Sequence, residues 1–295
     1  MMYILEDAIN GILMGSIYGL TALGLTVIFG VLKVINFAHG SLLMVGMYVA
    51  YWTVVLSGLH PYLALVFVIA FMFLFGYYLQ DILIKPIFMA EKNVREPITV
   101  IIVTTGLWYV LDYLTLLIFG PQYRSIQGNP LQGKMLEIGQ MLISVPKLWG
   151  FVTAILTAFI VYLFFQKTRM GRAIRATSLD REAASLMGIN QYKVYNVAFG
   201  IGTATAGIAA VTLVPFYNIF PTVGVLFDIK GFIIVVLGGL GSIGGAILGG
   251  IIIGLIESVA PQFMTATWTE AIVYGLFLLF LFVKPSGLFG MKYDW

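Results

Sequence analysis

Residues 229–258 read IKGFIIVVLGGLGSIGGAILGGIIIGLIES. The stretch is long enough to cross a bilayer, which takes about 20 apolar residues, and its only charges are Lys230 and Glu257. At its centre Gly238, Gly239, Gly241, Gly244 and Gly245 fall within eight residues. Glycine costs roughly 1 kcal/mol per residue in a helix relative to alanine, so a continuous helix through this run is disfavoured. In hydrocarbon a broken helix is tolerated only where its freed backbone is buried in protein or lines a cavity. The stretch therefore predicts a membrane helix that breaks at 238–245, and a polytopic bundle around it to shelter the break.

The rest of the chain agrees. Of 295 residues 60% are hydrophobic and 10% charged, and the mean hydropathy is +1.00. Soluble domains carry about 25% charged residues, so an ordinary cytosolic enzyme is excluded. Further apolar segments run over 8–30, 41–57, 62–80, 98–119, 148–166, 194–216 and 270–283. The fold class is an all-α integral membrane protein of about eight hydrophobic segments, at least one broken or re-entrant. The whole of 1–295 reads as a single transmembrane domain, with 120–147 as an external loop or small hairpin. There is no cysteine, which removes disulfides and thiolate chemistry, and the only histidines are His39 and His60. No metal site and no cofactor are expected.

Charge placement sets the orientation. The segment 81–97 holds Lys85, Lys92 and Arg95, and 167–193 holds Lys167, Arg169, Arg172, Arg175, Arg181 and Lys193. Two spans separate these segments, so they share a side, and the positive-inside rule makes it cytoplasmic. With Lys33, Lys284 and Lys292 twelve basic residues lie inside, leaving Arg124, Lys134, Lys147 and Lys230 outside. The pI near 8.9 thus reflects topology and not a nucleic-acid surface. The amino terminus carries Glu6 and Asp7 in place of a positive leader and reads as a span entered from outside. Eight full crossings would then strand Lys284 and Lys292 outside; if 229–258 dips in and returns outward, the tail falls inside.

Several constellations stand out, each beside a plainer reading. Gly11, Gly15 and Gly19, repeated in kind at Gly202, Ala206, Ala210 and at Gly241, Gly245, Gly249, are small residues four apart that let helix backbones approach. They predict helix packing. Asn36, Phe37, His39, Gly40 and Ser41 interrupt two apolar runs, and a helix starting at Ser41 would present backbone amides and a positive dipole end to a carboxylate; the plainer reading is a cytoplasmic turn capped by Asn36 or Ser41. Asp112 and Glu257 are intramembrane acids, either ion relays or paired structural groups.

The longest basic loop, KTRMGRAIRATSLDREAASLMGINQYK, reads as two short helices. Arg172 and Arg175 mark the first. Asp180 or Ser178 can cap the second, through Glu182, Ala183 and Leu186 to Gly188. Its Leu186–Met187 ridge suits a groove on a partner, against the alternative of a solvated connector. No G-x-x-x-x-G-K-[ST] occurs: Gly133-Lys134 is followed by Met135. The chain has no nucleotide-binding loop of that kind, so if ATP drives it, another subunit binds the nucleotide.

Five motifs in order give the chain a family likeness: Ile35-Asn36-Phe37-Ala38-His39-Gly40; Arg169-Met170-Gly171-Arg172-Ala173 leading to Ala184-Ser185-Leu186-Met187-Gly188-Ile189-Asn190; Phe216-Tyr217-Asn218; Val236 to Ala246; and Pro285-Ser286-Gly287-Leu288-Phe289-Gly290. The chain resembles the LivH-type membrane permease subunits of branched-chain amino acid ABC importers, almost end to end. The family form has Pro where Gly244 stands. The resemblance implies a heterodimer with a related second permease, two cytoplasmic ATP-binding subunits and an external substrate-binding protein. It implies a multi-pass chain in the cell (inner) membrane, in contact with lipid and not nucleic acid, that catalyses no reaction itself. It makes 171–189 the coupling segment, with Gly171, Arg172, Arg175, Asp180, Glu182, Ala183, Leu186 and Gly188. The broken segments, through Asn36–Ser41 and through Gly238, Gly239, Gly241 and Ser242, become pathway walls, with Gly245 and Gly249 packing behind. Importers of urea or short amides share such motifs and are the alternative within the class; an ion-driven carrier and an inert scaffold are the alternatives outside it.

Overall fold

The computed structural model describes residues 2–58, 60–91, 98–126, 133–139, 141–284 and 286–290. Lys92, Arg95, Lys292, Pro285 and residues 127–132 of the external segment lie outside the described residues. Among those described, eight helices are long and apolar enough to cross a membrane, and the protein is a multi-pass membrane protein. In chain order the elements are α1 (Met2–Leu32), α2 (His39–Ser57), α3 (Ala64–Leu79), α4 (Lys85–Ala90), α5 (Thr99–Phe119), β1 (Met135–Ile138), β2 (Met141–Ser144), α6 (Val145–Lys167), α7 (Arg169–Leu179), α8 (Arg181–Leu186), α9 (Gln191–Leu213), α10 (Val223–Gly238), α11 (Ile243–Val259) and α12 (Ala266–Val283). The segment expected over 62–80 continues to Ala90, because a π-helical turn at Gln80–Ile84 joins α3 to α4. That turn brings Asp81 to Lys85 at 2.7 Å and to Asn196 of α9 at 2.8 Å.

The centre of the bundle is α1 and α9. A helix apolar on every side must be surrounded, and each residue of 15–28 and of 202–213 is buried. Three hydroxyls here bond within their own helix: Ser16 donates to Leu13 O, Thr21 to Tyr18 O and Thr212 to Ala209 O. Thr203 also donates across to Met72 O of α3 at 2.9 Å, in the space left by Gly76. The outer helices α3, α5, α6 and α12 turn large apolar side chains outward, among them Phe67, Leu117, Phe159 and Phe282. A continuous exposed apolar surface of this kind is a lipid or protein contact, not a water-facing one.

The glycine stripe of α1 packs on α11, which runs antiparallel to it. A methyl at Gly11 would stand 2.8 Å from Gly254 O, one at Gly15 2.6 Å from Gly250 O, and one at Gly19 2.8 Å from Ile247 Cα. The α11 partners are therefore Gly250 and Gly254. Gly245 and Gly249 lie on another face, against Gly238 and Ile234 O of α10.

The glycine-rich stretch is two helices. It starts earlier than the apolar run, at Val223, and breaks over 239–242, where Gly239 (φ 105°) and Gly241 (φ 85°) adopt left-handed backbone that glycine alone enters freely. Ser242 then caps α11 by accepting the Gly245 N–H at 3.1 Å. The last carbonyls of α10 are satisfied from far along the chain: Leu288 N–H donates to Leu237 O (2.9 Å) and Phe289 N–H to Gly238 O (3.0 Å). Such carbonyls have no partner within their own helix.

The two ends of the bundle are distinct. Residues 240–244 line one cleft of about 380 Å³ with Gly30 near the end of α1, Lys33 just after it, and Arg175 and Ser178 of α7. The break, the basic segment and the 286–290 tail thus gather at one end. At the other, Ser258 donates to Asp7 O at 2.6 Å, Arg124 and Ile219 form an antiparallel bridge, and β1 pairs with β2 in register Met135 to Ser144. Lys230 is not a loop residue, because α10 begins before it, and Lys147 lies in the first turn of α6.

Candidate functional site

The polar interruption of the first two spans folds into the bundle. α2 begins at His39, two residues before the expected Ser41. Asn36 accepts the Ala38 N–H through Oδ1 at 3.1 Å, so it caps the turn, whereas the Ser41 hydroxyl donates to Asp112 Oδ1 at 2.6 Å. His39 Nε2 lies 2.9 Å from Thr21 O of α1. Asn36, His39, Gly40 and Ser41 are buried, and Phe37 is 40% exposed. One amide at this helix end does face a carboxylate, and it is internal: Asp228 of α10 accepts the Gly40 N–H at 2.8 Å. Glycine is required on both sides of this approach, since the backbones of Gly40 and Gly224 touch.

Asp112 is held by two donors, Ser41 and Trp108 Nε1 (2.8 Å). Glu257 pairs with Lys230 at 2.8 Å, and the ammonium of Lys230 also lies 4.8 Å from the centre of the Tyr18 ring. Both acids occupy structural pairings. Removing one donor from a buried carboxylate costs roughly 1–3 kcal/mol, so Ser41→Ala is expected to lower the melting temperature in detergent by several degrees. A variant that melts with the wild type would show that the Ser41–Asp112 bond contributes nothing.

Asp228 is the residue that sequence reasoning missed. It stands in the run VGVLFDIKGF, one residue before the apolar segment read from 229. An acid between Phe227 and Ile229 carried a signal all the same, because a lone carboxylate among apolar residues needs a partner. At the second break Gly238 is buried, Gly239 meets the backbone of Gly287 and Gly290, Gly241 stands beside Gly30, and Ser242 is the α11 cap. The cleft of about 380 Å³ is lined at this break by residues 240–244 and not by Asn36–Ser41.

The basic segment is built from caps. Thr168 accepts the Gly171 N–H (2.9 Å) at the start of α7, and Gly171 presses on the Phe164–Phe165 backbone, where a side chain would collide. Arg172 donates to Lys167 O, and Arg175 to the Gln166 amide oxygen. Asp180 caps α8 through the amides of Glu182 (2.9 Å) and Ala183 (3.0 Å), while Ser178 bonds back to Arg175 O. Gly188 ends it at φ 81°, and Asn190 caps α9. On this frame Leu186 is 89% and Met187 83% exposed. Beside the ridge runs a cleft of about 530 Å³ walled by Phe88, Arg181, Glu182, Ser185, Tyr192 and Tyr195.

A bundle of membrane-crossing helices with a glycine break between α10 and α11 and a capped, apolar-tipped helix pair at the same end fits one class: a membrane permease that works with other proteins. The chain belongs to the family described as the branched-chain amino acid transport system permease component, whose sequence model matches residues 8–282. It is 31% identical to the high-affinity branched-chain amino acid transport system permease protein BraD of Pseudomonas aeruginosa, over 97% of this chain and 95% of that one. It is 30% identical to the corresponding permease protein LivH of Escherichia coli, over 98% of this chain and 96% of that one. It is a transport subunit and not an enzyme.

Proposed function

We propose that this chain is one membrane subunit of an ATP-driven importer that carries branched-chain amino acids into the cytoplasm across the cell (inner) membrane. The end carrying α7, α8 and the 286–290 tail faces the cytoplasm, where six basic residues of 167–193 obey the positive-inside rule. The observation that carries this reading is the Leu186–Met187 ridge, exposed on a doubly capped helix pair in a chain of this family. An apolar helix tip on a rigid frame fits a groove of an ATP-binding subunit. The working unit pairs this chain with a related permease, two such subunits and an external binding protein.

ATP binding closes the two ATP-binding subunits, and α7 and α8 move with them. Gly171 locks α7 to the end of α6, so the motion passes into the bundle as rigid-body rocking between outward- and inward-open states. The segments 36–41 and 238–242 wall the path, since backbone bonds broken there are sheltered by protein. Asp112 and Glu257 are engaged by Ser41, Trp108 and Lys230, which disfavours an ion relay through either.

Gentle purification followed by identification of co-purifying chains tests the assembly: an ATP-binding subunit and a second permease are expected, and a clean homo-oligomer would refute it. ATP-dependent leucine uptake by the reconstituted complex tests the substrate. Within that system Asp180→Ala removes a cap worth about 1 kcal/mol, and Gly188→Val forces a branched residue into a left-handed turn at roughly 1–3 kcal/mol. Both are expected to let ATP hydrolysis continue with leucine uptake lowered several-fold. Wild-type ratios of uptake to hydrolysis in both would remove these residues from coupling.

A further inference from the structure

The first turn of α2 holds a carboxylate that belongs to the protein itself. Asp228 accepts the Gly40 N–H at the positive end of a 19-residue helix, where aligned peptide dipoles favour an anion. Neither ion pair among the described residues, Lys85–Asp81 or Lys230–Glu257, involves it. Asn36 supplies an independent sign of a missing ligand. It is 3% exposed, and with Oδ1 on the Ala38 N–H it sits at the same helix end. Its Nδ2 has no acceptor among the described residues, and a buried donor without a partner is costly. Asp112, the neighbouring acid, has an oxygen on each of Ser41 and Trp108, whereas Asp228 is partly buried with the Gly40 N–H on one oxygen.

A donor and an acceptor bonded to each other, with a spare donor at the same helix end, match the two charged ends of a zwitterion. We propose that Asp228 receives the ammonium group of the transported amino acid while the Gly40 N–H and Asn36 Nδ2 receive its carboxylate, the Gly40–Asp228 bond being the empty state of this site. The inference rests on the amino-acid reading above. Substrate binding exchanges one carboxylate for another at the helix end, so the dipole never faces an empty space. Phe37, exposed next to Asn36, offers an apolar surface for a branched side chain.

The test compares leucine with 4-methylpentanoate, the same skeleton without the ammonium, on the complete complex in nanodiscs without the external binding protein. Asp228→Asn keeps an acceptor for Gly40 and removes the charge. Leucine is expected to bind about tenfold more weakly to this variant, a loss of one decade in Kd, and 4-methylpentanoate at least as tightly as before. Equal weakening of both ligands, or no change in either, overturns the assignment. Should the variant fail to assemble, the wild type decides: leucine, and not 4-methylpentanoate, is expected to protect Asp228 from carbodiimide labelling read by peptide mass spectrometry. Labelling that ignores leucine overturns the site. A wild-type complex that transports leucine yet shows no such protection leaves the transport reading standing, whereas one that transports no amino acid removes both.

Discussion

Aspartate at both Leu186 and Met187 is expected to abolish ATP-driven uptake, with a fall of about a hundredfold or more, while the permease still inserts and folds. The two are among the most exposed large apolar side chains of the described residues, so their loss removes little from the protein's own core. Burying each in a partner groove is worth about 1.5–3 kcal/mol, and a buried unpaired charge in its place reverses the sign of the contact. The helix that carries them stays formed, because its caps are Asp180 and the left-handed Gly188. Loss of co-purifying ATP-binding subunits at unchanged permease yield is the diagnostic result. A double variant that retains its partners and transports at the wild-type rate would move the docking surface elsewhere.

Gly15→Val should severely damage the bundle. A methyl there already falls 2.6 Å from Gly250 O and 2.7 Å from Ile251 Cα, and both are backbone atoms that cannot rotate away. Overpacking a tight core costs roughly 1–3 kcal/mol for each misfit, and here α1 must move off α11 along the whole stripe. Little monodisperse protein is expected from Gly15→Val, whereas Gly106→Val, where an added methyl meets nothing within 4 Å, should purify normally. Comparing size-exclusion profiles of the two variants checks this, and equal recovery would show that the α1–α11 contact yields more easily than its backbone distances imply. Gly250→Val attacks the same contact from the other helix and should behave alike.

Much of this architecture was legible because lipid imposes simple rules. Apolar length gave the spans, and the caps of the basic segment, Asp180 and Gly188, follow local rules that need no tertiary knowledge. The break at 238–245 was visible because glycine is conspicuous in a membrane helix. What stayed hidden depends on distant partners. The start of α10 at Val223 was obscured by Asp228 and Lys230, which resemble loop charges until Gly40 and Glu257 are placed beside them. The stripe at 241, 245 and 249 predicts helix packing without naming a partner; 245 and 249 meet α10, whereas α1 meets 250 and 254: periodicity finds such a stripe but cannot say which neighbour takes which face. The π-helical turn at Gln80–Ile84 carries no local signal, since one extra residue in a helix leaves the apolar pattern almost intact.

The closing of α10 by Leu288 and Phe289 has a consequence for how the chain is made. Chains emerge from the ribosome amino end first, so α10 reaches the membrane before the residues that complete it exist. Until α11 and α12 have been synthesised and inserted, the carbonyls of Leu237 and Gly238 must be held by water or by the insertion machinery. The break between α10 and α11 is therefore among the final parts of the molecule to be finished. A nascent chain arrested after α11 would still have this turn open to solvent, and one released after residue 289 would have it sealed.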